Sequence, residues 1–356
     1  MRRYFIKTYG CQMNENDSGK IAEVLDSFGF EPMEDKGSRW PQLKASLKKC
    51  SVILINTCVV REHAENKALG FIGALSKFKR TNPELIIGVC GCMAAQDHLD
   101  LKAKFPFLDL TFGPNELNKL EEYMNSRRLV IRNTKYVIRK NNYITIMTGC
   151  NNFCSYCVVP YVRGRETSRP MDEVLAEIKE LADQGIRKIT LLGQNVNSYK
   201  YGLADLLRKI PNSLTIHFMT SHPRDMSDEL IETVRDCPHV AKDFHLPLQA
   251  GDDEILKKMN RGYTIDYFRG RVKKIKEIMP QATITTDIIV GFPGETEEQF
   301  NNTLDRVREF KFNAVNMAAY SLRPQTAAAR LPGHLSEEIK QSRLQKLIGT
   351  VREMLI

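Results

Sequence analysis

The loop from residue 150 to residue 157, Cys-Asn-Asn-Phe-Cys-Ser-Tyr-Cys, places three cysteines at C-x3-C-x2-C spacing. The thiolates of Cys150, Cys154 and Cys157 can bind three irons of a cubane cluster and leave the fourth iron without a protein ligand. Ferredoxin-type clusters use four thiolates, and their usual spacings differ from this one. Because an iron with an open position is reactive, the spacing favours cluster chemistry over electron storage.

A structural zinc site is the alternative for the same loop. Zinc in such sites is bound by four Cys or His ligands in a tetrahedral arrangement. The thirty residues after Cys157 contain neither residue type. Zinc is therefore disfavoured, and with it a zinc-binding transcription factor as the function.

The length of 356 residues exceeds that of a usual domain, so two domains are expected. No apolar run approaches the roughly 20 residues of a membrane helix, and the chain starts with a strand-like segment rather than a secretory signal. We expect a cytoplasmic protein that does not bind membranes. Nine cysteines in such a protein favour metal binding or catalysis over disulfides.

Positive charge is concentrated beside the cysteine loop. The formal net charge is +9, and the stretch from Tyr123 to Arg165 contains eight basic residues and no acidic ones. A solvated basic linker is one interpretation. Nucleic acid is the favoured partner, because the charge flanks the predicted chemistry.

The first part of the chain, residues 1–125, alternates strand and helix patterns. Strands are predicted at 4–9, 51–55, 85–89 and 110–112, with one helix from about Ser18, capped by Asp17 or Ser18, and another at 62–79. Continuous apolar strands that alternate with helices indicate an open parallel α/β sheet covered on both faces.

Three cysteines each follow a predicted strand: Cys11, Cys58 and Cys92. The carboxyl ends of parallel strands share one edge of a sheet, so these thiols can meet in space and form a second three-thiolate site. Three unrelated buried cysteines are the alternative. We interpret the remaining three as structural residues: Cys50, Cys90 and Cys237.

A basic connector at 126–142 leads to the second part, residues 143–356. Its strand patterns alternate with helices and lie at 143–147, 188–192, 214–218, 243–247, 283–290 and 314–319. Six strands are too few for a closed eight-stranded barrel, so we predict a partial (β/α)6 barrel followed by a C-terminal helix. The site should lie at the carboxyl ends of the strands, where polar residues cluster at 193–195, 221–223, 249–251 and 291–295.

Several longer motifs keep a recognisable order along residues 4–325. They are Tyr9-Gly10-Cys11-Gln12-Met13-Asn14, Asn56-Thr57-Cys58, Gly91-Cys92-Met93-Ala94, the cysteine loop, Val159 to Arg165, Leu192 to Tyr199, His245 to Gln249 and Gly291 to Thr296. These residues resemble the radical S-adenosylmethionine methylthiotransferases. The forms Gln12-Met13-Asn14 and Gly193-Gln194-Asn195 are most similar to the branch that makes 2-methylthio-N6-isopentenyladenosine in tRNA.

The resemblance implies two [4Fe–4S] clusters and S-adenosylmethionine as cofactors. The cluster on Cys150, Cys154 and Cys157 would cleave S-adenosylmethionine reductively to a 5′-deoxyadenosyl radical, which takes hydrogen from C2 of the adenine. The auxiliary cluster would be bound by Cys11, Cys58 and Cys92 and would carry the sulfur that is methylated and inserted. The protein positions these groups and excludes water.

The resemblance also suggests binding residues. Candidates for contacts to S-adenosylmethionine are Gln194, Asn195 and Gln249, with capping of the next helix as the alternative. Candidates for phosphate contacts to RNA are Arg61, Arg163 and Arg165, with surface solvation as the alternative. Candidates for positioning the adenine are Gln12 and Asn14.

The implied partners are the anticodon stem-loop of tRNA and an electron donor such as flavodoxin or ferredoxin, and we expect a monomer. Members of this family continue into a small RNA-binding β-barrel, the TRAM domain, whereas this chain stops at Ile356. Either the sequence is truncated or tRNA binding relies on the basic stretch, and in both cases we expect weaker, strongly salt-dependent RNA affinity. Three alternatives remain open: a methylthiotransferase for threonylcarbamoyl-adenosine, one for a ribosomal protein aspartate, and a noncatalytic iron–sulfur protein that binds RNA.

Overall fold

The computed structural model describes residues 2–33, 40–59, 62–96, 99–127 and 142–355. It divides into two compact units. The first comprises Met1–Asn141 together with Tyr161–Arg163, and the second comprises Asn142–Pro160 together with Gly164–Ile356. Most of the predicted basic connector, residues 128–141, lies outside the described residues, as does Arg61.

The first unit is built on a five-stranded parallel sheet with the strand order β2-β1-β3-β4-β5. The strands are β1 (Arg3–Tyr9), β2 (Glu31–Pro32), β3 (Val52–Thr57), β4 (Ile86–Gly91) and β5 (Leu110–Phe112). The helices are α1 (Gln12–Ser27), α2 (Trp40–Leu47), α3 (Glu62–Thr81), α4 (Leu101–Lys104) and α5 (Asn118–Ser126). Every residue of β3 and β4 is buried, as expected for central strands covered on both faces.

The predicted start of the first helix was wrong. Helix α1 begins at Gln12 rather than near Ser18, and Cys11 rather than Asp17 or Ser18 is its N-cap residue. The apolar face used for the prediction begins only at Ile21. The first two turns were not predicted as helical, because their buried side chains include the polar Asn14 and Asn16. Hydrophobic periodicity detects only the part of a helix that packs with apolar residues.

The second unit contains six parallel strands in sequence order, as predicted for a partial barrel. They are β6 (Tyr143–Thr145), β9 (Lys188–Leu192), β10 (Thr215–Phe218), β11 (Asp243–His245), β12 (Thr283–Val290) and β13 (Ala314–Ala319). Between β10 and β11 the ladder is reduced to a bridge, in which Ile216 bonds to His239 and Ala241. The predicted strand 143–147 is split, and β7 (Met147–Thr148) pairs antiparallel with β8 (Thr167–Ser168).

Helices separate these strands along the chain. They are α6 (Val159–Val162), α7 (Met171–Asp183), α8 (Leu203–Lys209), α9 (Asp228–Asp236), α10 (Asp253–Lys258), α11 (Ile265–Ile278), α12 (Glu297–Phe310) and α13 (Glu337–Leu355). Alternate residues of β12 are buried: Ile284, Thr286, Ile288 and Val290. This period of two gives the strand one fully buried face and one partly open face. Among the described residues, no helix is both long and apolar enough to cross a membrane.

A buried ion pair attaches the last helix to the loop after β12. Arg343 in α13 lies 2.7 Å from Glu295, and both side chains are almost inaccessible to solvent. Arg343 also donates to the backbone oxygen of Glu295 at 3.0 Å. Burial raises the pKa of Glu295, which the Gly291 amide and Arg343 oppose. Loss of one partner would leave the other as an uncompensated buried charge.

We therefore expect Arg343→Ala to destabilise α13. The free energy of opening, measured by hydrogen exchange of the α13 amides, should fall by about 3–5 kcal/mol. The matched control is Lys346→Ala on the same helix. Lys346 pairs with Glu297 at 2.8 Å, with both side chains about half exposed, and should cost at most about 1 kcal/mol. Equal effects of the two substitutions would contradict this role of the buried pair.

Candidate functional site

The first unit brings together the three cysteines that follow its strands. Cys11 follows β1, Cys58 follows β3, and Cys92 begins a short 3-10 helix directly after β4. The Cys11 thiol hydrogen-bonds to Cys58, which lowers the pKa of Cys11 to about 6. Burial raises the pKa of Cys92, and the charge on Cys11 also contributes to this shift. Three thiols thus lie at one edge of the sheet, as the strand-end argument predicts.

A buried amide pair connects the segments that carry these thiols. Asn14 donates from Nδ2 to Asn56 Oδ1 at 3.1 Å, and Asn56 donates from Nδ2 to Asn14 O at 2.7 Å. Asn14 Oδ1 also accepts a hydrogen bond from the Cys11 amide at 3.3 Å. Both amide side chains are fully buried. Asn14, a candidate for the adenine, is therefore engaged with protein partners, while Gln12 is half-buried in the first turn of α1.

Gly91 precedes Cys92, and any larger residue at this position would force the neighbouring atoms to move. Gly91 has φ +88°, a conformation that disfavours side chains. A Cβ at this position would lie 2.4 Å from Asn56 Oδ1 and 2.5 Å from the Thr57 carbonyl oxygen. Close approach of the two strand ends therefore requires glycine here.

Arg163 is buried beside the same thiols. It is 5% exposed, donates from Nε to Cys92 Sγ at 3.3 Å, and pairs through Nη2 with Asp17 at 2.7 Å. Burial opposes its charged form, but Cys92 and Asp17 raise the pKa of the guanidinium. The phosphate contact predicted for Arg163 is disfavoured, because both ends of its guanidinium have protein partners.

The second unit holds the cysteine loop in a turn just after β7. The Cys157 amide donates to the Cys154 carbonyl at 2.9 Å, and the Cys150 amide donates to the Gly164 carbonyl at 3.2 Å. Ser155 anchors the loop centre by donating from Oγ to the Lys258 carbonyl at 2.8 Å. Burial raises the pKa of Cys157 to about 12, and charge on Cys154 and Cys150 adds to the shift.

Arg261 is a residue of this site that the sequence did not reveal. It is 4% exposed and donates from Nη1 to Cys154 Sγ and to the Tyr156 hydroxyl, each at 3.3 Å. It also donates to the Tyr263 hydroxyl at 3.1 Å and to the Pro247 carbonyl at 2.9 Å. A single arginine more than 100 residues after the loop has no spacing that would have indicated this contact.

The candidate residues for S-adenosylmethionine lie on the loops after the strands. Gln194 Oε1 accepts from the Gly149 amide at 2.6 Å, next to Cys150. Asn195 accepts from the His222 amide at 3.0 Å and donates to Asp225 at 2.7 Å. Neither bond caps a helix, since the 3-10 helix after Asn195 has no side-chain cap. These two amides therefore hold neighbouring loops in place.

Gln249 differs from the other two amides. Its side chain is 8% exposed, and its backbone has a φ of +73°, which is uncommon for a residue other than glycine. Its Oε1 has no hydrogen-bond partner within the described ranges. A buried acceptor without a partner is costly unless a ligand or water satisfies it. Gln249 Oε1 is thus a buried acceptor that the described residues leave without a donor.

Arg165 is exposed, unlike Arg163, the other phosphate candidate that the structure describes. Its guanidinium lies 4.2 Å from the ring centroid of Phe153, over the cysteine loop. This position keeps the charge at the surface while the ring restricts its motion. Arg165 therefore remains free to contact an anionic partner beside the loop.

All three donors of each set are thiols, the ligand type through which proteins bind [4Fe–4S] clusters. In the part of the chain that the structure describes, no three His, Cys, Asp or Glu side chains are arranged so that they could hold one metal ion.

The chain is similar to known proteins over nearly its whole length. Residues 144–307 match the radical SAM superfamily, and residues 3–113 match the uncharacterized protein family UPF0004. The chain is 43% identical to a tRNA-2-methylthio-N(6)-dimethylallyladenosine synthase of Clostridium beijerinckii, over 98% of this chain and 80% of the relative. It is 45% identical to the synthase of the same name from Thermoanaerobacter pseudethanolicus, over 97% of this chain and 77% of that protein.

A solved structure shows the same fold at low sequence identity. It is a radical S-adenosylmethionine methyltransferase from Kitasatospora setae with cobalamin and a [4Fe-4S] cluster bound. The TM-score is 0.71 at 17% identity, over 92% of this chain and 77% of that one. At this identity the likeness concerns the fold alone.

The buried amide pair leads to a stability prediction. Asn56→Ala removes the two buried hydrogen bonds between Asn56 and Asn14, so the free energy of unfolding of the first unit should fall by about 1–3 kcal/mol. The single tryptophan, Trp40 in α2, reports this unfolding by fluorescence. The control is Asn118→Ala, an exposed residue that bonds to Glu122 at 3.1 Å, with an expected change within about 0.5 kcal/mol. Similar losses in both variants would show that the amide pair is not special.

Proposed function

Since this chain belongs to the tRNA-2-methylthio-N(6)-dimethylallyladenosine synthases of the radical S-adenosylmethionine superfamily, we propose how its own residues carry out that reaction. It is an enzyme that inserts a methylthio group at C2 of N6-isopentenyladenosine, also called dimethylallyladenosine, next to the tRNA anticodon. The alternative substrates and a noncatalytic role are not favoured by relatives at this identity.

The observation that carries the assignment to residues is the presence of two separate sets of three thiols. One set is Cys150, Cys154 and Cys157 on a single loop, and the other is Cys11, Cys58 and Cys92 on three strand ends. The [4Fe–4S] clusters and S-adenosylmethionine supply the radical and the sulfur chemistry when bound. In our proposal each set holds one cluster by three irons and leaves the fourth open.

In this proposal the amide side chains on the strand-end loops contribute to binding of S-adenosylmethionine in two ways. Gln249 contacts it directly, because its Oε1 is a buried acceptor without a partner in the described residues. Gln194 and Asn195 act by holding the Gly149 and His222 amides, and so orient the loops around the cofactor. Such support keeps reacting groups in productive geometry without contact to the reacting atoms.

We further propose that Arg165 contacts an RNA phosphate and that Gln12, next to Cys11, helps to position the adenine. Arg165 is exposed and restrained by Phe153, and guanidinium groups suit phosphate geometrically. The reaction needs a one-electron donor, for which we propose flavodoxin or ferredoxin. Action on tRNA favours the cytoplasm, and we propose a monomer.

The division of work between the cysteine sets can be tested on anaerobically purified protein. We expect about eight irons per chain, as two cubanes require. Replacing Cys150, Cys154 and Cys157 by Ala should halve the iron and abolish formation of 5′-deoxyadenosine. Replacing Cys11, Cys58 and Cys92 by Ala should also halve the iron but retain 5′-deoxyadenosine, while the methylthio nucleoside disappears from the tRNA product measured by mass spectrometry. Loss of both clusters from either well-folded variant would contradict two independent sites.

The phosphate contact of Arg165 predicts a change in salt dependence. Arg165→Gln should weaken tRNA binding and reduce the slope of log K against log salt by about 0.7–0.9, the value for one phosphate contact. The matched control is Arg208→Gln, which removes an exposed arginine that pairs with Asp205 and Glu229 on the protein surface. An unchanged slope for Arg165→Gln would rule out the contact.

A further inference from the structure

Each cysteine set has one buried arginine that donates a hydrogen bond to one of its sulfurs. Arg163 bonds to Cys92 in the first unit, and Arg261 bonds to Cys154 in the second, both at 3.3 Å. Both arginines are at most 5% exposed. Neither contact is needed to bind iron, because each set already has three thiolates.

The two arginines differ in how their charge is compensated. Arg163 forms an ion pair with Asp17 at 2.7 Å, so a carboxylate offsets the positive charge beside Cys92. The hydrogen-bond partners of Arg261 in the described part of the chain are two hydroxyls, one carbonyl and the Cys154 sulfur. None of these partners is a carboxylate, so the positive charge beside Cys154 remains largely uncompensated.

The charge of Arg261 also lowers the pKa of a neighbouring side chain, His222. Burial lowers the pKa of His222 to about 2, and the positive charges of Arg261 and Arg224 add to this effect. His222 therefore stays neutral and adds no second positive charge beside Arg261. In a buried environment the field of an unscreened guanidinium acts over several ångströms.

We propose that Arg261 and Arg163 are positioning residues that set the reduction potentials of the two cluster sites, and that Asp17 makes these potentials different. Reduction adds one electron to a cluster, so a positive charge and a hydrogen bond at a ligand sulfur favour the reduced form. The uncompensated Arg261 raises the potential of the cluster on the cysteine loop, which must accept an electron from a one-electron donor. The Arg163–Asp17 pair raises the potential of the auxiliary cluster less, so the auxiliary cluster does not capture that electron. The inference rests on the proposed function, because it assumes one cluster at each set.

The test measures midpoint potentials of both clusters in the full holoenzyme by stepwise reduction with titanium(III) citrate, followed by EPR. Addition of S-adenosylmethionine identifies the signal of the loop cluster. Arg261→Gln removes the charge and should disfavour reduction of that cluster at least tenfold, a shift of about 59 mV for one electron to lower potential. The auxiliary potential should not change. Arg261→Lys keeps the charge and should restore most of the potential.

Asp17→Asn provides the second arm, because it removes the counter-charge with almost no change in shape and does not touch a thiol. It should raise the potential of the auxiliary cluster alone, again by about tenfold in the reduction equilibrium. The control is Arg224→Gln, which removes an exposed arginine beside the loop that bonds to Asn152 and Asp225. In this control the reduction equilibrium constant of each cluster should change by less than twofold.

Two results would overturn the inference. One is an unchanged potential of an intact loop cluster in Arg261→Gln, and the other is an unchanged or lowered auxiliary potential in Asp17→Asn. If Arg261→Gln fails to assemble its cluster, the Asp17→Asn result decides alone. A wild-type chain with fewer than two clusters would instead refute the proposed function, whereas two intact clusters with insensitive potentials would refute only this inference.

Discussion

In each unit the strands run parallel, apart from the short β7–β8 pair, so their carboxyl ends lie at one edge, and both cysteine sites depend on this arrangement. In the first unit it gathers three thiols from positions as far apart as Cys11 and Cys92. In the second unit it places the loops that carry Gln194, Asn195 and Gln249 on the same side as the cysteine loop. A hairpin-based antiparallel sheet would alternate strand directions and distribute these residues over both edges.

Strand ends alone do not hold three thiols in place, and each site has its own support. The first uses the buried pair Asn14–Asn56 and the close approach at Gly91. The second uses backbone bonds within the loop and the anchor at Ser155. The chain thus builds two similar donor sets by different means. One assembles separate strand ends, and the other bends a single continuous segment.

The buried arginines distinguish the sites electrostatically. A guanidinium beside a ligand sulfur changes the local charge, and whether a carboxylate accompanies it decides how large the change is. Asp17 accompanies Arg163, whereas Arg261 has hydroxyl and carbonyl partners. Two clusters of one chemical type can therefore differ in redox behaviour within one chain, because the surrounding protein charges differ.

The sequence by itself indicated the two sets of three thiols, the parallel α/β first unit and the six-stranded second unit, because thiol spacing and apolar periodicity are local patterns. It did not reveal that α1 begins at Gln12, since the buried side chains of the first two turns include the polar Asn14 and Asn16. Only the tertiary structure decided that Arg163 pairs with Asp17 and Cys92, and that Arg261 reaches Cys154 from 107 positions away. Contacts between buried polar groups depend on which distant segments the fold brings together. For that reason, periodicity in one segment could not have predicted them.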